Sequence, residues 1–260
     1  MEHPSEARKR EVELVSEGYE LPCEIWLPEE SPPRAPVSIV LCHGSTQKGM
    51  RHEIIQGLAQ ALSTRWPVLT LELPGFGRAP ELVIRRTEDY LFHKHLLAAA
   101  GLARELTGLP AVLVGHSMGG RVSLQAASEG QDEGLVVGIA TLAGLYELPD
   151  RPEQMLVLLK DFARFVRVRL ELPPERLARE VAEMGPTRRA VEGLRVPLLA
   201  IEAGREVYGF IRETRYRLFK LARCPKTLIL LGHADHKFTG YLGVLAELLA
   251  SWLERRFSHE

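Results

Sequence analysis

Asparagine is missing altogether from this chain, which leans instead on arginine, glutamate, leucine and proline. Such a composition resembles heat adaptation, and a GC-rich coding sequence would bias it the same way. Cysteine is scarce. Cys23, Cys42 and Cys224 are odd in number and scattered, so they frame neither a disulfide scaffold nor a zinc site and read as free thiols of a reducing compartment. Charge of one sign is not in excess: 33 Lys and Arg against 34 Asp and Glu leave a net charge of −1, without the electrostatic footprint of a nucleic-acid binder. No apolar run approaches membrane-spanning length, and the opening Met1-Glu2-His3-Pro4-Ser5-Glu6 is polar, without the apolar core of a signal peptide. The expectation is a cytoplasmic protein with neither nucleic acid nor membrane among its partners. No G-x-x-x-x-G-K-[ST] is present, which excludes a P-loop.

What remains is an ordinary apolar fraction of 45% in 260 residues, suited to one α/β domain over 1–260. Its centre is Gly115-His116-Ser117-Met118-Gly119-Gly120. The preceding Ala111-Val112-Leu113-Val114 reads as a buried strand and the following Arg121–Ala127 as a helix. A G-x-S-x-G between strand and helix puts the serine on a sharp turn, where Gly115 and Gly119 remove the Cβ atoms that would clash. The turn lifts the Ser117 hydroxyl clear of the sheet and aims the Met118 N–H, at the helix N-terminus, at the same spot. Ser117 stands where a dinucleotide fingerprint would need its second glycine, so G-x-G-x-x-G is excluded.

This context resembles the nucleophile elbow of the α/β-hydrolase superfamily, in the form carried by serine esterases and lipases. The resemblance implies an α/β-hydrolase fold: a mostly parallel central sheet with helices on both faces. Other stretches agree with it over about residues 10–257. Arg10–Pro28 alternates and turns like an antiparallel edge hairpin, followed by a proline-rich loop, Pro28–Pro36. Val37–Cys42 is a continuous apolar run, as a central parallel strand requires. His43-Gly44-Ser45 follows it, and by resemblance the Ser45 N–H is the second oxyanion donor beside that of Met118, with His43 fixing the loop. Pro67–Leu73 is a strand leading to Pro74-Gly75-Phe76-Gly77-Arg78, similar to the family's P-G-x-G loop, where Phe76 is expected to face the pocket and Arg78 to be solvated. Thr87-Glu88-Asp89 starts one helix running through Leu106. His93 and His95, two apart, make a poor metal pair.

Leu135–Leu142 is another buried strand. Residues 149–193 then form an expected small helical lid insertion, the alternative being an ordinary helix packed on the sheet. Its core is one amphipathic helix, Arg151–Leu172, with Met155, Leu159, Phe162, Val166 and Leu170 on a stripe that Leu158 and Phe165 widen. A second helix, Glu175–Met184, follows Pro173-Pro174. Val196–Glu202 resembles the family's penultimate strand, with Glu206 in the place of the acid. Lys226–Leu231 is the last strand, leading to Gly232-His233-Ala234-Asp235-His236-Lys237-Phe238, which resembles the G-x-D-H-x-F loop bearing the family's histidine. These late motifs are similar to those of dienelactone hydrolase and prolyl oligopeptidase-type catalytic domains. Tyr241–Phe257 closes the sheet as a helix.

The implied constellation is Ser117 as nucleophile, His236 as base and Glu206 as acid, in the superfamily's chain order. Glu206 departs from the usual aspartate, and Glu202, Asp150 and Glu147 are its rivals. His233-Ala234-Asp235-His236 also resembles part of a metallo-β-lactamase-like cluster, but Leu231 holds the first histidine's place and no second cluster follows, so neither metal nor cofactor is expected. The implied activity is hydrolysis of a small-molecule ester or acyl substrate through an acyl-serine. Amide and other acyl bonds remain alternatives, as do a non-catalytic binding protein of the same fold and a homodimer. Dehalogenase chemistry is disfavoured because those relatives use an aspartate nucleophile.

Overall fold

Strand identity in this chain follows from burial on both faces. In the computed structural model, which describes residues 8–29 and 35–257, the runs Ser38–Cys42 (β3), Val68–Leu71 (β4), Ala111–His116 (β6) and Val136–Leu142 (β7) are almost wholly buried. Such runs carry no alternation because helices cover both sides. An antiparallel hairpin precedes them: Arg8–Ser16 (β1) and Tyr19–Leu27 (β2). Leu198–Arg205 (β9) and Lys226–Asp235 (β10) complete an eight-stranded sheet of order β1-β2-β4-β3-β6-β7-β9-β10. Pairings from β4 to β10 are parallel, and β2 meets β4 antiparallel. This is a mostly parallel sheet with an antiparallel edge, as the resemblance implied. Most of the proline-rich loop and the polar N-terminal segment lie outside the described residues.

Helices Glu53–Leu62 (α1) and Leu242–Phe257 (α8) cover one face of the sheet, closing a core that includes Leu58, Trp66 and Trp252. Helices His93–Thr107 (α2) and Met118–Gly130 (α3) cover the other, over Leu96, Leu113 and Val122. Gly209–Leu221 (α7) follows β9. No helix among the described residues is long and apolar enough to cross a membrane.

Several expectations are corrected. The helix expected from Thr87 through Leu106 is two pieces, a 3-10 turn Thr87–Tyr90 and then α2. The break is Phe92, whose φ of +62° turns its ring into a cluster with Phe76, Tyr90 and Phe162. Aromatic packing of this kind outweighs the cost of a left-handed backbone at a non-glycine residue. Phe76, expected at the pocket, is spent in that cluster, against His43 as well. Thr87 does not cap a helix; its hydroxyl meets Glu180 instead.

The helix expected over Arg151–Leu172 ends at Phe162 (α4, Pro152–Phe162). Beyond a turn, Val168–Leu170 (β8) pairs in parallel with Leu82–Ile84 (β5) as a separate two-stranded sheet. Val166-Arg167-Val168-Arg169-Leu170 alternates with period two and is β-branched, which suits that pairing better than a helix. Met155, Leu159, Phe162 and Val166 are buried as the stripe required, whereas Leu170 is exposed. Pro174–Met184 (α5) matches the second helix, and Pro186–Gly193 (α6) is a third that was not anticipated.

Candidate active site

At the end of β6 the chain enters the elbow. Ser117 has φ +52° and ψ −120°, a strained backbone for a residue with a side chain, and α3 begins at the next residue. Close approach explains both flanking glycines. A Cβ on Gly115 would lie 2.2 Å from the Gly119 carbonyl oxygen, and one on Gly119 would lie 2.3 Å from that of Cys42. The turn is pinned by Ser117 N–H donating to the Leu142 carbonyl at 2.8 Å and Gly120 N–H donating to that of Ser117 at 2.9 Å. The N–H groups of Met118 and Ser45 have no hydrogen-bond partner among the described residues. The two loops that carry them are joined side by side, with the Ser45 hydroxyl 3.2 Å from the Met118 sulfur.

The loop holding Ser45 is fixed by His43. Its Nε2 accepts from the Leu73 N–H at 3.1 Å, so Nδ1 carries the hydrogen and donates to the Gly44 carbonyl at 2.8 Å. Burial pushes the His43 imidazole down to about 4 and so keeps it neutral in that one tautomer.

On the far side of the sheet, β9 and β10 end in register. Asp235 pairs with Arg205 after an irregularity in β10, so the next residues, His236 and Glu206, emerge side by side. β10 thus runs four residues past the strand end expected at Leu231. His236 Nδ1 lies 2.7 Å from Glu206 Oε2, and its Nε2 lies 2.9 Å from Ser117 Oγ. A carboxylate can only accept, so Nδ1 donates to it and Nε2 is left to accept the serine proton. Glu206 Oε1 accepts from the Tyr208 N–H at 2.9 Å, leaving neither oxygen idle. Its side chain is fully buried.

Two further residues hold His236, and sequence reasoning did not find them. Tyr208 packs edge-on against the imidazole at 4.8 Å. His116, the variable residue of the elbow, donates from Nε2 to the His236 carbonyl at 2.9 Å, and burial pushes its own ring down to about 3. No local signal marks either one, since their partner lies in a remote loop.

The rival acids are elsewhere. Asp150 is exposed, Glu147 pairs with Arg217, and Glu202 is buried inside β9, where Oε1 accepts from the Leu145 N–H at 3.4 Å. His233 is exposed, and Asp235 turns back to cap its own loop through the Thr239 N–H. No group of three His, Cys, Asp or Glu that could hold a metal occurs among the described residues.

Burial pushes the Glu202 carboxyl up to about 8 from 4.5, against the Leu145 hydrogen bond and the Arg215 charge, which pull it down. The native state therefore holds a proton here that the unfolded chain has released, and this group's contribution to stability falls as pH rises from 4.5 to about 8. The slope from this one group is about 1.4 kcal/mol per pH unit. Glu202→Gln is expected to remove that slope. Denaturant unfolding of both proteins at about pH 5 and about pH 8 checks it, and parallel pH dependences would contradict it.

Ser117 and His236 open into a cavity of about 390 Å³, walled in part by Gly44, Tyr146, Leu158, Phe165 and Phe210. Residues 39–259 match the alpha/beta hydrolase family. The chain belongs to that family. Hydrolase chemistry is the coarse activity that this membership carries. A 66-residue stretch of this alpha/beta hydrolase is 38% identical to the uncharacterized hydrolase YugF of Bacillus subtilis (strain 168), over 25% of this chain and 23% of that protein. The match thus spans about a quarter of that relative's length. Among solved structures, the esterase domain of a Rhodothermus marinus protein is similar over 96% of this chain and 99% of that one, at 22% identity and a TM-score of 0.68. Dienelactone hydrolase from Anabaena variabilis ATCC 29413 is similar over 98% and 100%, at 16% identity and a TM-score of 0.67. At such identities the likeness is one of fold.

Proposed function

We propose that this alpha/beta hydrolase cleaves carboxylic esters of small molecules through an acyl-serine. One observation carries the reading: a single imidazole lies within hydrogen-bond distance of both a strained serine, at 2.9 Å, and a buried carboxylate, at 2.7 Å. A serine hydroxyl is a weak nucleophile until a base takes its proton. In the proposed sequence Ser117 Oγ attacks the ester carbonyl as its proton passes to His236 Nε2. Glu206 holds the tautomer and stabilises the imidazolium that forms. The N–H groups of Met118 and Ser45, unused by other groups, hold the oxyanion. Collapse of the tetrahedral intermediate breaks the C–O bond, and His236 returns the proton to the departing alcohol. Water then attacks the acyl-serine with His236 again as base, releasing the acid and restoring the Ser117 hydroxyl.

The experiment is steady-state and pre-steady-state hydrolysis of p-nitrophenyl esters, with and without a chelator. Turnover with a stoichiometric nitrophenol burst, unaffected by chelation, is expected. Reversible loss on chelation, restored by zinc, would transfer the reaction to a metal.

Residues 149–193 serve in this reading as a small lid. Leu158, Phe162 and Phe165 wall the cavity from α4 and the turn after it, and Gln47 near the Ser45 loop donates to the Arg164 carbonyl at 3.4 Å. Phe162 is buried among Phe76, Tyr90 and Phe92, so Phe162→Ala is expected to cost about 3–5 kcal/mol of stability. Phe165 is 45% exposed and is the cleaner probe. Phe165→Ala is expected to shift preference between short and long acyl chains at unchanged Tm. An unchanged chain-length profile would make this segment structural only.

A further inference from the structure

Two arginines are buried among the described residues, Arg121 and Arg215. Arg215 donates to the Ala203 carbonyl at 2.8 Å and lies 5.0 Å from the centroid of the Tyr216 ring. Arg121 has no such backbone acceptor among the described residues. It is 1% exposed, no carboxylate pairs with it among the described residues, and its Nε has no hydrogen-bond partner at all. Its partners among the described residues are neutral: Nη1 donates to Gln125 Oε1 in a long hydrogen bond of 3.5 Å, the guanidinium reaches the Tyr146 hydroxyl, and the Tyr90 ring lies 5.7 Å from it. The groups around it cannot balance its charge. Burial pushes the Cys42 thiol and the Tyr90 phenol up to about 12, so both stay neutral. Burial likewise raises the Tyr146 phenol, although the nearby Arg121 charge pulls it back.

A guanidinium cannot shed its proton to escape such a site, and an unpaired buried charge costs several kcal/mol. That cost is borne at the cavity already described, since Arg121, Tyr90 and Tyr146 line it together with Ser117 and His236. Arg121 is four residues past Ser117 on α3, about 6 Å along the helix axis. The acid that lines the same cavity, Asp161, is exposed and paired with Arg164 at 3.1 Å. The cavity is therefore built for a compact anion held a short distance from the nucleophile, with two phenols able to donate to it.

We propose that the substrate is a half-ester of a short dicarboxylic acid: Arg121 binds its free carboxylate while Ser117 attacks its ester carbonyl. The proposal rests on the acyl-serine reading above and adds the substrate class. No new covalent step is involved.

The test compares mono-p-nitrophenyl glutarate with neutral p-nitrophenyl butyrate on wild type, Arg121→Met and Arg121→Lys. Wild type is expected to favour the anionic ester. Arg121→Met is expected to lower the anionic-to-neutral ratio of kcat/KM by about 10²-fold, mainly through KM for the half-ester, and Arg121→Lys to keep part of the preference. A second arm needs no turnover: glutarate is expected to raise the Tm of Ser117→Ala protein and not that of the Ser117→Ala, Arg121→Met double variant. Should Arg121→Met fail to fold, the Lys variant and the glutarate shift on Ser117→Ala decide. Neutral-ester hydrolysis without anionic preference, and without a glutarate shift, overturns the Arg121 proposal and leaves the hydrolase reading standing. Absence of all ester turnover with a glutarate shift that Arg121→Met abolishes keeps the anion site and sinks the acyl-serine reading. A lowered Tm in Arg121→Met with an unchanged ester ratio assigns Arg121 a structural role alone and overturns the proposal.

Discussion

Ser117→Ala is expected to lower kcat for a short activated ester by about 10⁴–10⁶-fold, the range over which loss of such a nucleophile acts when its base and carboxylate act with it as a unit. The fold should survive. Ser117 holds its turn through its backbone, by Ser117 N–H to Leu142 and Gly120 N–H to Ser117, and alanine keeps both bonds and the φ of +52°. Its side-chain oxygen has one hydrogen-bond partner among the described residues, His236 Nε2 at 2.9 Å. Tm and near-ultraviolet circular dichroism of the variant are therefore expected to match wild type. A folded Ser117→Ala protein with full activity would remove Ser117 from the chemistry.

The second large effect concerns the acid. Glu206→Gln keeps the shape of the side chain but cannot stabilise an imidazolium, and comparable substitutions lose up to ~10⁴ in kcat. Asp150→Asn, eight residues beyond β7 and exposed, is expected to change kcat by less than about twofold, the scale of a surface substitution. Measured side by side on one ester, the pair separates two positions from which a carboxylate could serve this fold. Glu206 is preferred because β9 and β10 bring it to His236 in register, at 2.7 Å. Glu202, four residues earlier and buried, has its Oε1 turned to the Leu145 N–H at 3.4 Å and no partner on Oε2. A loss confined to Asp150→Asn would move the acid to the end of β7.

What could be read in the sequence was what neighbours in sequence decide. β3, β6 and β7 are continuous apolar runs, and the elbow is a local backbone problem solved by Gly115 and Gly119, so both were legible. Elements decided by distant partners were not. Phe92 breaks a helix because Phe76 and Phe162 receive its ring. Val166–Leu170 leaves a helical stripe because β5 is there to pair with it. The extension of β10 to Asp235 depends on a close passage against β9, where a Cβ on Gly204 would lie 2.2 Å from the Gly232 carbonyl oxygen. The candidate site divides in the same way. Chain order suggested Ser117, Glu206 and His236, but the supports come from other strands, Tyr208 from just past β9 and His116 from the end of β6. Arg121 shows the limit most clearly. An arginine in a helix reads as solvated, and its burial becomes visible only when Tyr90 and Tyr146 are brought around it.

Labelling with a fluorophosphonate tests the central claim most directly, because the reagent needs an activated serine and an oxyanion site but no knowledge of the substrate. Intact mass and peptide mapping of the native protein are expected to give one adduct per chain, on Ser117, formed in step with loss of esterase activity. The adduct should be absent from Ser117→Ala and strongly slowed in His236→Ala. A folded protein that takes no label, or one labelled and inactivated at another residue, would contradict the account.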